Sequence, residues 1–102
     1  MEDWNERQLN DVIQGKETFC LYLYTPLCGT CQVASRMLSI TLELLPNWKC
    51  GQMNLNYFPN LANQYEIESV PCLLVFKEGQ FSQKLYAFQS VSFLYDFLKK
   101  EA

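Results

Sequence analysis

Hydrophobic and polar positions along this chain fall into blocks whose period changes. In residues 4–14, "WNERQLNDVIQ", Trp4, Leu9, Val12 and Ile13 recur at roughly helical spacing, and Gly15 follows as a stop. Residues 18–25, "TFCLYLYT", form an unbroken run of β-branched, aromatic and aliphatic side chains. That pattern predicts a central strand covered on both faces, ended by Pro26. From Gly29 to Leu45 the step returns to three and four: Val33, Met37, Ile40 and Leu44 mark a stripe that Ala34, Leu38 and Leu45 widen. A long amphipathic helix built on that stripe is predicted, with Pro46 stopping it. "WKCGQMNLN" (48–56) predicts a strand and "PNLANQYEI" (59–67) a short helix opened by Pro59. Cys72–Phe76 and Phe81–Ala87 predict a hairpin with Glu78 and Gly79 at its turn. The last segment opens on Ser90 as an N-cap and places Phe93, Leu94, Phe97 and Leu98 on one face. Lys99 and Lys100 fall at its negative end.

The predicted order is α-β-α-β-α-β-β-α. Strands alternating with helices imply right-handed crossovers with helices on both faces of a sheet, and the hairpin makes that sheet mixed. An α/β, three-layer fold is expected, with a mixed central sheet of about four strands. The chain's 102 residues fit one domain, residues 1–102, and no repeat, low-complexity tract or linker divides them.

Composition narrows the function classes. The chain is 49% hydrophobic, enough for a core, and carries 8 Lys+Arg against 11 Asp+Glu. A net charge of −3 supplies no basic face, so no nucleic-acid partner is expected. No run of 18 apolar residues occurs, so no membrane span is expected. The start, "MEDWNERQLN", is polar and acidic, whereas a secretory leader opens basic and turns apolar. A cytoplasmic location is therefore expected, where structural disulfides are rare and paired cysteines are catalytic or metal-binding. The chain holds no histidine, which excludes Ser-His-Asp and Cys-His hydrolases and every zinc site built on histidine. Its five cysteines (20, 28, 31, 50 and 72) are an odd number, so at least one is unpaired.

The chemistry concentrates in "LCGTC", residues 27–31, at the junction between the first predicted strand and the long helix. Cys28 falls near the helix N-cap and Cys31 one turn further in. First-turn amides lack helical partners and carry partial positive charge, so a thiolate there is stabilised. Free cysteine ionises near pH 8.5, and helix-terminal Cys-x-x-Cys sites drop to about 3.5–7.5. Cys31, deeper in the helix, stays protonated longer and acts second. Side chains three apart on a helix share a face and suit a small, easily opened disulfide ring. Two other origins exist for the spacing. Chance can place two of five cysteines so, though seldom at a strand-to-helix junction. A zinc site needs a second Cys-x-x-Cys or two histidines, and the chain has neither. Redox chemistry is the reading the context favours.

With "CGTC" after a hydrophobic strand, "SVPCLLVFKEGQ" some 40 residues later, and this element order, the chain resembles the thioredoxin family from about Thr18 to Leu98. The resemblance implies a thioredoxin-like fold whose N-terminal edge strand is absent or very short. It implies Cys28 as the attacking cysteine, Cys31 as the resolving one, and Gly29 and Thr30 as the middle of the motif. Pro71 matches the family's cis-proline beside the disulfide, and Val70 before it offers backbone groups to an extended substrate segment. Leu27, beside Cys28, completes the expected substrate-binding set: Leu27, Gly29, Thr30, Val70 and Pro71. No bound cofactor and no metal are expected; the Cys28–Cys31 disulfide is itself the redox group. Expected partners are protein disulfide substrates and, as electron donor, a reductase or low-molecular-weight thiol, with the chain acting as a monomer.

The departures from the family pattern bear on mechanism. Leu27 stands where the family has tryptophan. Thr30 stands where the motif has proline, and its hydroxyl in place of that restraint predicts a less reducing protein. Tyr22 stands at the buried aspartate behind the second cysteine, and a tyrosine is no base at pH 7. Gln52 replaces the accompanying lysine, Arg36 a helix-kinking proline, and Ala87 a glycine. Strong general reductase activity is thereby in question, and a non-catalytic thioredoxin-fold adaptor or redox-sensing module is the alternative function. Cys72 is either a third thiol near the site or a small buried strand residue, the latter favoured, and Cys20 and Cys50 are expected in the core.

Overall fold

Two hydrophobic clusters, one on each face of a central sheet, organise the chain. The computed structural model describes residues 1–101. Its elements are β1 (Glu2–Asp3), α1 (Glu6–Gln14), β2 (Phe19–Tyr24), α2 (Gly29–Leu44), β3 (Lys49–Asn54), α3 (Pro59–Gln64), β4 (Cys72–Lys77), β5 (Gln80–Leu85) and α4 (Val91–Glu101), with a 3-10 turn at Leu55–Tyr57 before α3. The sheet order is β1-β3-β2-β4-β5. β1, β3 and β2 run parallel, and β4 and β5 are antiparallel additions. The sheet is thus mixed as expected, but it has five strands rather than about four. The additional strand, β1, is a very short N-terminal edge strand: Glu2 and Asp3 pair with Gly51 and Gln52, and the Gln52 side chain also donates to the Asp3 carboxylate at 2.9 Å.

β2 is the middle strand and the most completely covered, as its apolar run requires. Phe19, Leu21 and Leu23 point into one cluster with Trp4, Leu9 and Val12 and with Leu61 of α3. Cys20 and Tyr22 point into the other, with Ala34 and Leu38 of α2 and Leu94 and Leu98 of α4. Phe19 stacks on Phe76 of β4 with ring centroids 4.6 Å apart. Gly51 lies directly beneath Trp4, where a Cβ would collide with the indole.

Two expectations need correction. The first helix begins at Glu6, not Trp4: Asn5 caps it, accepting from the Gln8 amide at 2.9 Å while the Gln8 side chain accepts from the Asn5 amide at 2.9 Å. Trp4 is buried ahead of the helix, against the sheet. In α2 the buried face is Cys31, Ala34, Leu38 and Thr41, whereas Val33, Ile40 and Leu44 of the predicted stripe are exposed. Ala34 and Leu38, which widen the predicted stripe, are the part of it that packs fully against the sheet. The final helix is capped as expected, the Ser90 hydroxyl accepting from the Phe93 amide at 3.0 Å.

Candidate active site

β2 delivers the chain to the site. After Tyr24 it turns through Thr25, Pro26 and Leu27, and the Cys28 amide donates back to the Thr25 carbonyl at 3.3 Å. Cys28 then takes the N-cap of α2 in extended conformation. Its Sγ accepts from the Cys31 amide at 3.1 Å, satisfying one of the helix's orphan donors, and lies 3.3 Å from the Thr30 hydroxyl. Cys28 and Cys31 are joined in a disulfide with their Cα atoms 5.2 Å apart. Cys28 is half-buried and Cys31 is 3% exposed, so Cys28 is the more accessible sulfur of the two.

A second segment meets the site from far along the chain. The Val70–Pro71 peptide is cis, and the Val70 carbonyl oxygen lies 3.9 Å from Cys28 Sγ. Val70 and Pro71 are half-buried; Gly29 and Thr30 are exposed, and no atom stands within 4 Å of where a Gly29 Cβ would sit. Leu27 is 99% exposed, an aliphatic side chain held in water beside the disulfide. The residues singled out in the sequence therefore border Cys28 from two directions: Leu27, Gly29 and Thr30 from its own loop, Val70 and Pro71 from the start of β4.

Behind the disulfide lies Tyr22. It is buried, and its hydroxyl donates to the Cys31 carbonyl oxygen at 2.6 Å. Burial, and secondarily Tyr24, push its pKa up to about 12, so it is a donor and never a base near neutrality. A cleft of about 390 Å³ opens beside it, lined by Tyr24, Pro26, Cys28, Cys31 and Arg36 among others. Gln52 turns away, donating to Asp3 of β1 at 2.9 Å. Arg36 is exposed on an α2 that runs unbroken from Gly29 to Leu44, and Ala87 is exposed. The donor role of Tyr22 was not foreseen from the sequence. Alternation within "FCLYLY" is the signal that puts Tyr22 on the face that receives α2.

The other cysteines separate. Cys72 is buried in the cluster beneath α1 and α3, on the sheet face opposite α2, and burial pushes its thiol up to about 12 against a smaller downward pull from Lys84. It is a core residue. Cys20 is also fully buried, but Cys50 is half-buried at the sheet margin rather than in the core. Among the described residues no cluster of three or more Cys, Asp or Glu side chains is arranged to hold a metal ion.

Comparison with known proteins agrees with this arrangement. The family model described as Thioredoxin matches residues 2–100. The chain is 46% identical over 102 residues to the thioredoxin-like protein YusE of Bacillus subtilis, covering 100% of this chain and 94% of that protein. It is 31% identical over 72 residues to a chloroplastic M-type thioredoxin of Chlamydomonas reinhardtii, covering 70% of this chain and 51%, about half, of that longer protein. Among solved structures, oxidised mitochondrial thioredoxin 3 of Saccharomyces cerevisiae superposes with a TM-score of 0.85 at 18% identity, covering 98% of this chain and 94% of that one.

Proposed function

The chain belongs to the thioredoxin family, and on that premise we propose that it exchanges disulfides with partner proteins through Cys28 and Cys31. The Cys28 thiolate attacks one sulfur of a substrate disulfide, and the other sulfur leaves as a thiolate that takes up a proton. Cys31 gives up its proton and attacks Cys28 Sγ, expelling the second substrate sulfur and closing the Cys28–Cys31 disulfide. Two electrons pass to the substrate, and a reductase or a low-molecular-weight thiol returns them. No bound cofactor takes part. The observation that carries this reading is the placement of Cys28 Sγ at the N-cap of α2, within 3.1 Å of the Cys31 amide and 3.3 Å of the Thr30 hydroxyl. Those donors stabilise the anion that exchange requires.

Substrate recognition is assigned to the border of Cys28. The exposed backbone beside Val70 and Pro71 takes an extended segment by main-chain hydrogen bonds, and Leu27 adds apolar contact. The protein acts as a monomer in a reducing compartment, the cytoplasm, where a reversible dithiol is kept available. With Tyr22 in place of an acid, Cys31 loses its proton to water in the adjoining cleft. Resolution of the mixed disulfide is then slow.

The same observation about Tyr22 supports a second reading, a redox-sensing adaptor that binds through this surface without turnover. Insulin reduction by dithiothreitol, catalysed by the wild-type chain, separates the two. The oxidoreductase reading expects turnover that Cys28→Ser abolishes and a Cys31→Ser variant that accumulates mixed disulfides with protein substrates. No turnover in the wild type together with no trapped protein would leave the adaptor.

A further inference from the structure

A second pair of cysteines faces one another at the other end of β2. Cys20 and Cys50 are direct partners in the parallel register of β2 and β3. Partnered residues project to the same side of a sheet, here the face carrying α2 and α4. Neighbouring strands run about 4.7–4.9 Å apart, inside the roughly 4.4–6.8 Å Cα separation that a disulfide spans. The two thiols are unlike in access. Cys20 is fully buried, and burial, then the Cys50 thiol beside it, push its pKa well up. Cys50 is half-buried: β1 pairs only with Gly51 and Gln52, so Cys50 is flanked at the margin by Met1, whose Sδ lies 3.8 Å from Cys50 Sγ.

We propose that Cys20 and Cys50 form a second redox site, in which Cys50 receives a low-molecular-weight disulfide and Cys20 resolves it into a Cys20–Cys50 bond. The Cys50 thiolate attacks one sulfur of the small disulfide and one thiol leaves. Cys20 attacks Cys50 Sγ, its proton passes to the departing sulfur, and the second thiol leaves. The pair is oxidised by two electrons and the small disulfide is reduced to two thiols. Burial excludes a protein substrate from Cys20, and the active-site dithiol lies beyond the far end of β2, so a small oxidant is the class that fits. Cys72, on the opposite face of the sheet, takes no part. This site stands apart from the chemistry assigned to Cys28.

The test is a thiol count on fully reduced wild-type protein titrated with oxidised glutathione, then acid-quenched, denatured, alkylated and weighed. Of five cysteines, oxidation of the active-site pair leaves three alkylated. The proposal expects a second step that leaves one, with peptide mapping joining the Cys20 and Cys50 segments and Cys72 alkylated. The Cys28→Ser/Cys31→Ser variant is expected to fall from three alkylated thiols to one by the same linkage, whatever becomes of activity at Cys28. Cys50→Ser is expected to lose the second step; should that variant not fold, the wild-type count and mapping decide alone. A titration that stops at three, a lasting glutathione adduct on Cys50 with no joined peptide, or a linkage through Cys72 would overturn it.

Discussion

The Tyr22 hydroxyl donates to the Cys31 carbonyl oxygen across 2.6 Å, tying the central strand to the first turn of the helix that carries both site cysteines. The position behind Cys31 is thus held by a hydrogen-bond donor rather than by an acid. Tyr22→Phe removes that donor from a buried place and is expected to cost about 1–2 kcal/mol of stability. Chemical denaturation checks it; an unchanged midpoint would mean the bond contributes nothing.

Alkaline pH is expected to unfold the protein by a route the structure specifies. The folded state holds both the Tyr22 hydroxyl and the Cys72 thiol neutral, each pushed up to about 12 by burial. Their unfolded counterparts ionise at about 10 and 9.0. A raised folded pKa contributes stability that is complete below the unfolded value and is lost as pH climbs toward the folded one. Stability should therefore be level near pH 8 and fall from about pH 9 upward, and Cys72→Ala should flatten part of the fall. Melting temperatures across that range decide it; a level profile to about pH 11 contradicts the assignment.

Gly51 and Trp4 fix how closely β3 approaches the N-terminal segment. Gly51→Ala drives a methyl group into the indole and is expected to destabilise by about 1–3 kcal/mol. The denaturation midpoint checks this. An unaltered midpoint would mean that Trp4 moves aside freely.

Much of the fold and the central part of the candidate site were legible in the sequence. The apolar run at 18–25 reads as a covered strand, and its junction with the next helix places Cys28 at an N-cap, as the structure has it. What was not legible has physical reasons. α2 has a wide apolar arc, with Gln32, Ser35, Ser39 and Glu43 opposite it, so period alone could not say which stripe within that arc faces the sheet; Cys31, Ala34, Leu38 and Thr41 do, while Val33, Ile40 and Leu44 are exposed. β1 is only two residues long, paired with Gly51 and Gln52 and tied by the Gln52–Asp3 side-chain bond, and its Glu and Asp carry no hydrophobic signal. Trp4 fits a helical spacing yet lies outside the helix; the Asn5-x-x-Gln8 capping box was the cue to the true start. The facing of Cys20 and Cys50 depends on inter-strand register, which no local pattern encodes.

Thr30 replaces an imino acid with a hydroxyl 3.3 Å from Cys28 Sγ. A thiolate can only accept, so in the reduced protein that hydroxyl is expected to donate to Cys28. Thr30→Ala is expected to slow attack by Cys28 at about pH 6 by roughly two- to fivefold, the size of one partly exposed hydrogen bond to an anion. The rate of reaction with a small disulfide measures it, and an equal rate would remove Thr30 from the account.

Leu27 offers its whole side chain to solvent beside the disulfide. Leu27→Ala is expected to raise KM for a protein disulfide by about fivefold or more, as loss of apolar contact predicts. Reaction with a small disulfide should be unchanged. If both substrates are affected alike, Leu27 acts on the loop rather than on the partner.

The ionisation of Cys28 tests the account most directly. Alkylation rates of the reduced protein, followed from about pH 4 to 10 with mass mapping of the modified cysteine, report its thiolate fraction. Cys28 is expected to react first and to ionise well below a free cysteine, with Cys31 following only at higher pH. A Cys28 thiol that ionises near the ordinary value of about 8.5, no more readily than Cys31, would contradict the proposal that the start of α2 holds a ready nucleophile.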